Sequence, residues 1–266
     1  MNGLLKLILF LVLCYAGVVL LLALAQTALI FPRWAMSGAV TPLPAGAQEL
    51  RVARPGGVEL VGVDLPGSDP DLPVVLGFGG NAWPADALAA QLRAILPAHR
   101  IVVFHYRGYG PSGGRPSAAA LKDDALAIHD ALAVPEVVAV GLSLGAGPAT
   151  HLAARRPLAG LVLVTPFDSL RALVQVHYPW VPVRWLLRHR MEVGLDLAQV
   201  TVPVALIAAG ADTVIPPART APLRDRAGKL VFDVTVPGAG HNDLYARAEF
   251  AQALRAAMHA IAGEAR

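Results

Sequence analysis

A mainly parallel β-sheet covered by helices on both faces is the fold class this sequence predicts, and three observations predict it. Short runs rich in Val, Ile and Leu alternate with helix-length stretches from residue 73 onward. Those runs are apolar throughout rather than at every second residue, as strands buried on both faces are. Gly, Pro, Asp or Ser punctuates the junctions. At 266 residues the chain is long enough for one large domain with a sizeable core.

The chain is 55% hydrophobic and only 15% charged, so a membrane segment is sought first, and it sits at the start. No charged side chain occurs between Leu7 and Phe31. The nineteen residues Leu7 to Ala25, as a helix, rise about 28 Å, close to the hydrocarbon thickness of a bilayer. A cleaved signal peptide is the rival reading, because Ala23-Leu24-Ala25 resembles a small-x-small cleavage site. The run is longer than the usual apolar region of about 7–15 residues and only Lys6 precedes it, which favours an anchor over residues 1–32. Lys6 flanks one side and Arg33, Arg51 and Arg54 the other, so charge counting puts the domain in the cytoplasm. N-terminal anchors more often leave their domain outside, and an extracytoplasmic domain is the expectation adopted. Cys14 is the single cysteine and lies inside the apolar run, which excludes an intrachain disulfide or a cysteine metal site. The net charge of +3 comes from scattered arginines with no basic block between aromatics, which argues against nucleic acid and leaves attraction to anionic lipid.

Residues 33–48 are Pro- and Gly-punctuated and read as a linker; the domain runs over 49–266. "ELRVAR" and "VELVGVDL" form a hairpin through Pro55-Gly56-Gly57. "PVVLGF" (73–78) is a buried strand, a helix follows from about Pro84 to Leu96, and "RIVVFHY" is the next strand. Ser117 caps a helix with Leu121, Ala125, Ile128 and Leu132 on one face. "EVVAVGL" is a strand, 144–155 a helix and "GLVLVT" a strand. Between about 168 and 200 the rhythm breaks, which marks an insertion over the carboxyl edge of the sheet. It resumes with "PVALIAA", a helix near 217–226, "KLVFDVTV" and a closing helix from about 243 to 262.

The chemistry concentrates where strands end. "VVAVGLSLGAGPAT" carries Gly141-Leu142-Ser143-Leu144-Gly145 between a strand and a helix, the context of a serine held on a tight turn. Glycine at 141 and 145 removes side chains that would strike neighbouring backbone. A serine needs a base and the base an orienting acid, in the chain order Ser, Asp, His for this arrangement. Asp212 follows "PVALIAA" and His241 follows "KLVFDVTV", so Ser143, Asp212 and His241 are the candidate triad. Asp168 is an alternative acid, but it precedes the insertion and lacks the strand–G-x-D–Pro setting. The candidate oxyanion donors are the N–H groups of Leu144 and Asn81, the latter on the loop Gly79-Gly80-Asn81.

With these residues in view, the sequence resembles the membrane-anchored α/β-hydrolase-domain serine hydrolases, whose relatives include lysophospholipases and protein depalmitoylases. The resemblance rests on "LIFPR", "FGGNA", "YRGYGPSGGRPS", "GLSLGAGPA", "TPFDSL", "HYPWVPVRWLLRHRM", "AGADTVIPP" and "GAGHNDL". It implies an α/β-hydrolase fold, the same triad, a short lid and cleavage of a carboxylic ester or thioester. A peptidase or amidase, or a non-catalytic binding protein on this fold, is the alternative. No cofactor and no metal is expected. The expected partners are a small acyl-ester or lipid substrate and the membrane; oligomeric state is left open. Two departures stand out: Gly79 where the family has His, and His105 where it has Asp. A compensating exchange, with the His105 ring filling the space beside Gly79, is the expectation. The stretch 177–191 mixes Trp180, Trp185, Leu186 and Leu187 with Arg184, Arg188 and Arg190, which suits either a bilayer interface or an ordinary lid walling an apolar pocket.

Overall fold

A computed structural model of the chain describes residues 2–36, 42–44 and 46–264. The apolar start is one helix, α1 (Gly3–Ile30), of 28 residues and therefore about 42 Å, long and apolar enough to cross a membrane. A 3-10 turn follows at Arg33–Met36. Residues 37–41 and 45 of the expected linker lie outside the described residues.

β1 (Gln48–Arg54) and β2 (Val58–Leu65) pair antiparallel, and Arg54 faces Val58 across the three residues of the predicted turn. Gly56 and Gly57 there take φ of +78° and +72°, a region costly for residues with a Cβ. The chain continues through β3 (Val74–Phe78), α2 (Ala85–Ile95), β4 (Ile101–Phe104), α3 (Ala118–Leu132), β5 (Val137–Leu142) and α4 (Ala146–Ala153). After β6 (Gly160–Val164) the insertion forms α5 (Leu170–His177), α6 (Val183–Leu186) and α7 (Val193–Leu197); β7 (Val204–Ala209), α8 (Pro217–Arg224), β8 (Leu230–Val236) and α9 (Ala248–Glu264) complete the order.

The eight strands form one sheet in the order β1-β2-β4-β3-β5-β6-β7-β8, with β2 antiparallel to both neighbours and the remaining pairs parallel. β3, β5, β6 and β7 are buried at every residue, which explains why their sequences lack alternation. Alternate side chains of each strand enter two separate cores. Leu76, Ala139, Leu163 and Leu206 pack with α3 and α4, and Val75, Val140, Val162 and Ile207 with α2 and α9. The predicted cap of α3 is present, Ser117 Oγ accepting from the Ala120 N–H at 3.1 Å.

Two helix starts differ from expectation, both beside the site. The helix expected from 144 opens as a 3-10 turn, Ser143–Gly145, before α4. The closing helix expected from 243 begins at Ala248, because residues 243–246 instead wrap the preceding loop: Asp243 Oδ1 accepts from the Gly240 N–H, and the Leu244 N–H donates to the Gly240 carbonyl.

Candidate active site

Ser143 stands on the turn between β5 and α4 with φ of +52°, a left-handed conformation that a residue with a Cβ adopts only when its surroundings impose it. The surroundings are the two glycines. A Cβ at Gly145 would lie 2.1 Å from the Phe78 carbonyl oxygen and 2.7 Å from that of Gly79; one at Gly141 would lie 2.7 Å from both the Ala149 Cβ and the Gly145 oxygen. The turn is therefore pressed against the end of β3, beside the loop Gly79-Gly80-Asn81.

His241 lies on the loop after β8 and Asp212 on the loop after β7. The loops are laced together by the Gly210 N–H to the Val236 carbonyl at 2.9 Å and the Ala211 N–H to the Ala239 carbonyl at 2.8 Å. Both side chains are buried. Asp212 Oδ1 accepts from the N–H groups of Val214 and Ile215 at 2.9 and 2.7 Å, which fixes the carboxylate and leaves Oδ2 facing His241 Nδ1 at 2.7 Å. An ionised carboxylate only accepts, so Nδ1 carries the proton and the Nε2 lone pair faces Ser143 Oγ at 3.0 Å. The structure thus brings Ser143, His241 and Asp212 into one hydrogen-bonded line. Asp168 is elsewhere, accepting from the Ser169 N–H at 2.8 Å and paired with Arg219 at 3.4 Å.

The expected exchange between Gly79 and His105 does not hold. The atoms nearest a Cβ at Gly79 belong to Trp83 and Leu88, at 3.4 and 3.5 Å, and His105 Nε2 instead meets Asp86 Oδ1 on α2 at 3.0 Å. Burial lowers the His105 pKa even though Asp86 and the more distant Glu49 raise it.

Asn81 and Leu144 both line a cavity with Ser143 and His241. The loop that carries Asn81 is positioned by residues whose role the sequence did not disclose. Tyr106 Oη donates to the Gly79 carbonyl at 2.7 Å and Tyr109 Oη to the Asn81 carbonyl at 2.9 Å. Two peptide planes are thereby fixed, and the peptide bearing the Asn81 N–H is held between them. These are the tyrosines of "YRGY", whose hydroxyls had no visible partner in a linear reading. Tyr245 packs edge-on against His241 with centroids 6.2 Å apart, and its hydroxyl meets Thr165 Oγ1 at 2.8 Å. Burial pushes its phenol pKa up, so it stays protonated.

The cavity has a volume of about 1180 Å³, larger than most small-molecule pockets. Phe167 walls it from the end of β6, and Leu170, Leu173, Val181, Val183 and Leu187 wall it from the insertion. Among the described residues, no Asp, Glu, Lys or Arg lines it. Among the described residues, no three His, Cys, Asp or Glu side chains are grouped to hold a metal ion.

An eight-stranded, mostly parallel sheet with a serine on the sharp turn after β5 defines an α/β-hydrolase-fold hydrolase. The chain belongs to that family: the family model described as alpha/beta hydrolase fold matches residues 74–182. An uncharacterized protein of Mycobacterium tuberculosis is 37% identical over 211 residues, covering 76% of this chain and 74% of that protein. Alpha/beta hydrolase domain-containing protein 17C of Homo sapiens is 30% identical over 161 residues, or 58% of this chain and 48% of that protein. Among solved structures, a membrane phospholipase A described as a novel bacterial virulence factor superposes with a TM-score of 0.68 at 16% identity, over 97% of this chain and 98% of that one. At that identity the likeness shows the fold.

Proposed function

We propose that the chain is a membrane-tethered serine hydrolase that cleaves a carboxylic ester or thioester of an apolar acyl group. Ser143 Oγ attacks the carbonyl carbon as His241 Nε2 takes its proton, and Asp212 holds the Nδ1–H and stabilises the imidazolium. The tetrahedral oxyanion accepts from the N–H groups of Leu144 and Asn81. As it collapses, His241 returns the proton to the departing alcohol or thiol, leaving Ser143 acylated. Water then attacks the acyl-serine with His241 again as base, and the carboxylic acid leaves.

The observation that carries this reading is the line Asp212–His241–Ser143, at 2.7 and 3.0 Å, opening onto a cavity free of charged side chains. An apolar cavity suits an acyl chain and offers little to a peptide backbone, which supports an ester or thioester over an amide. Retention of α1 is supported by its contacts: Tyr15 and Ala23, which cleavage after Ala25 would remove, both hydrogen-bond to the insertion.

A fluorophosphonate probe tests the nucleophile. Labelling of the intact chain that disappears in Ser143→Ala is expected, and persistent labelling of that variant would mean that another residue is the nucleophile. Comparing a thioester, an ester and an anilide of one acyl group separates esterase from amidase.

A further inference from the structure

Part of the cavity wall comes from α1 rather than from the hydrolase domain. Leu22, Ala23, Gln26, Leu29 and Ile30 line the same space as Ser143 and His241. Their spacing places them on one helix face. That face is fixed to the insertion by polar contacts. Gln26 Nε2 donates to the Leu186 carbonyl at 3.1 Å and Oε1 accepts from the Arg188 N–H at 2.7 Å. The Arg188 guanidinium donates to the Ala23 carbonyl at 3.1 Å, and Thr27 Oγ1 meets His189 Nε2 at 2.8 Å. On the other side of the helix, Leu20, Leu21 and Leu24 are exposed. A simple tether needs no buried glutamine and no set rotation about its axis. Gln26 supplies both, since each end of its amide is used.

The contacts also set a depth. Tyr15 Oη donates to the Trp180 carbonyl at 2.8 Å, eleven residues before Gln26 and so about 16 Å further along the axis. A helix needs about 20 apolar residues to cross a bilayer, and the run here is Leu7 to Ala25. When α1 spans a bilayer, Tyr15 therefore lies within the hydrocarbon and carries the exposed Trp180 into the leaflet beside it. Leu22 and Ala23 then stand near the level where hydrocarbon gives way to head groups, so the α1 side of the cavity begins inside the leaflet.

We propose that the cavity is loaded sideways from the bilayer. The acyl chain of a membrane-resident ester lipid passes between α1 and the insertion, lies against Leu22, Leu29 and Ile30, and presents its carbonyl at Ser143. α1 is then a wall of the acyl site and a determinant of chain length. The assignment of the reaction rests on the hydrolase reading above; the route of entry does not.

The test uses the full chain carrying Ser143→Ala in phosphatidylcholine vesicles with a trace of lysophosphatidylcholine whose acyl chain ends in a diazirine. After illumination, cross-links are mapped by peptide mass spectrometry, with the exposed Leu20, Leu21 and Leu24 as internal reference for bulk lipid. Cross-links at Leu22 or Ile30 and at the buried lining residues Leu170, Leu173 and Val183 are expected, and Leu22→Trp should abolish them while Leu21→Trp does not; the exposed Leu29 counts with the reference residues. Labelling confined to the exposed face, or unchanged by Leu22→Trp, would overturn the proposal. With Ser143 restored, Leu22→Trp should lower the ratio of long-chain to short-chain ester turnover about tenfold or more, and an unchanged ratio counts against it. Fluorophosphonate labelling keeps the two readings apart. A labelled chain without the cavity cross-links loses the bilayer route alone, and an unlabelled chain with them loses the hydrolase reading alone.

Discussion

Two sides of one cavity are built from different kinds of contact. Ser143, Asp212 and His241 stand on loops leaving β5, β7 and β8, and backbone groups fix them: the Phe78 and Gly79 carbonyls behind Gly145, the Val214 and Ile215 N–H groups on Asp212, and the bonds from Gly210 and Ala211 to the His241 loop. The opposite side, α1 against the insertion, is held through Tyr15, Gln26, Thr27, Arg188 and His189, by side-chain bonds between segments some 160 residues apart. The sheet-edge side tolerates almost no displacement. The α1 side depends on a handful of bonds. Variants of the first should therefore act on kcat, and variants of the second on access and on KM for long chains.

The largest effect is expected at Asp212. Asp212→Asn keeps the volume but offers an N–H where His241 needs an acceptor, so kcat should fall by about 10⁴ with little change in KM. Steady-state kinetics on a p-nitrophenyl ester checks this, and a kcat within tenfold of the parent would remove Asp212 from the proposed mechanism. Gly145→Ala comes next. Its methyl group would meet the Phe78 oxygen at 2.1 Å, so the end of β3 and the Asn81 loop must shift together. Overpacking against backbone should cost about 3 kcal/mol and about 10²–10³ in rate through the displaced oxyanion donor. Thermal melts and kinetics measure both parts, and parental values would mean that the turn is looser than described.

Tyr106→Phe sharpens the comparison, because it loosens the sheet-edge side without touching the triad. It leaves the Gly79 carbonyl unpaired, a loss of about 1–3 kcal/mol. A reduction of roughly tenfold in kcat is expected, with fluorophosphonate labelling slowed but not lost; an unchanged kcat would show that the hydroxyl does not position the loop.

The sheet-edge side was also the legible one. β5 and β7, which lead to Ser143 and Asp212, are runs buried on both faces, while β8, which leads to His241, is only partly buried; the strand ends are marked by Gly141, Gly145, Gly210 and Gly240, so strand ends and polar residues could be read together. Chain order admits both Asp168 and Asp212, and the strand–G-x-D–Pro setting singled out Asp212. The α1 side left no such trace. Gln26 reads as the polar end of an apolar run, and nothing local ties it to Leu186 and Arg188. His105 misled for the same reason: strand pairing placed β4 beside β3, but Asp86, which lies on a helix, decided where the ring points. Side-chain partners across distant segments carry no periodicity to read.

On the α1 side, Gln26→Leu removes both ends of the clamp and leaves the Leu186 carbonyl and the Arg188 N–H without it. KM for a long-chain ester should rise several-fold, with a loss of stability of about 1–3 kcal/mol. Kinetics in vesicles against a soluble short-chain ester separates access from chemistry. An equal fall in kcat for both substrates would mean that α1 supports the triad rather than the acyl site.

The smallest effect tests the clamp by pH. His189 is buried, Nδ1 accepts weakly from the Ala118 N–H at 3.5 Å, and Nε2–H therefore points at Thr27 Oγ1. A proton added at Nδ1 would face that N–H, and burial together with the neighbouring Arg188 lowers the pKa below the usual histidine value. The unfolded chain consequently binds this proton at higher pH than the folded one. The stability the neutral ring contributes is complete above about pH 6.5 and is lost as pH falls from there through the lowered folded value. His105 shifts in the same direction on the sheet-edge side, so both rings add to the acid sensitivity. Melting temperatures of the parent, His189→Gln and His105→Gln at pH 7.5 and 5.5 should show a shallower acid slope in each variant. Only His189→Gln should also flatten the pH dependence of KM for the long-chain ester. A parental slope in His189→Gln would place its protonation outside the contact between α1 and the insertion.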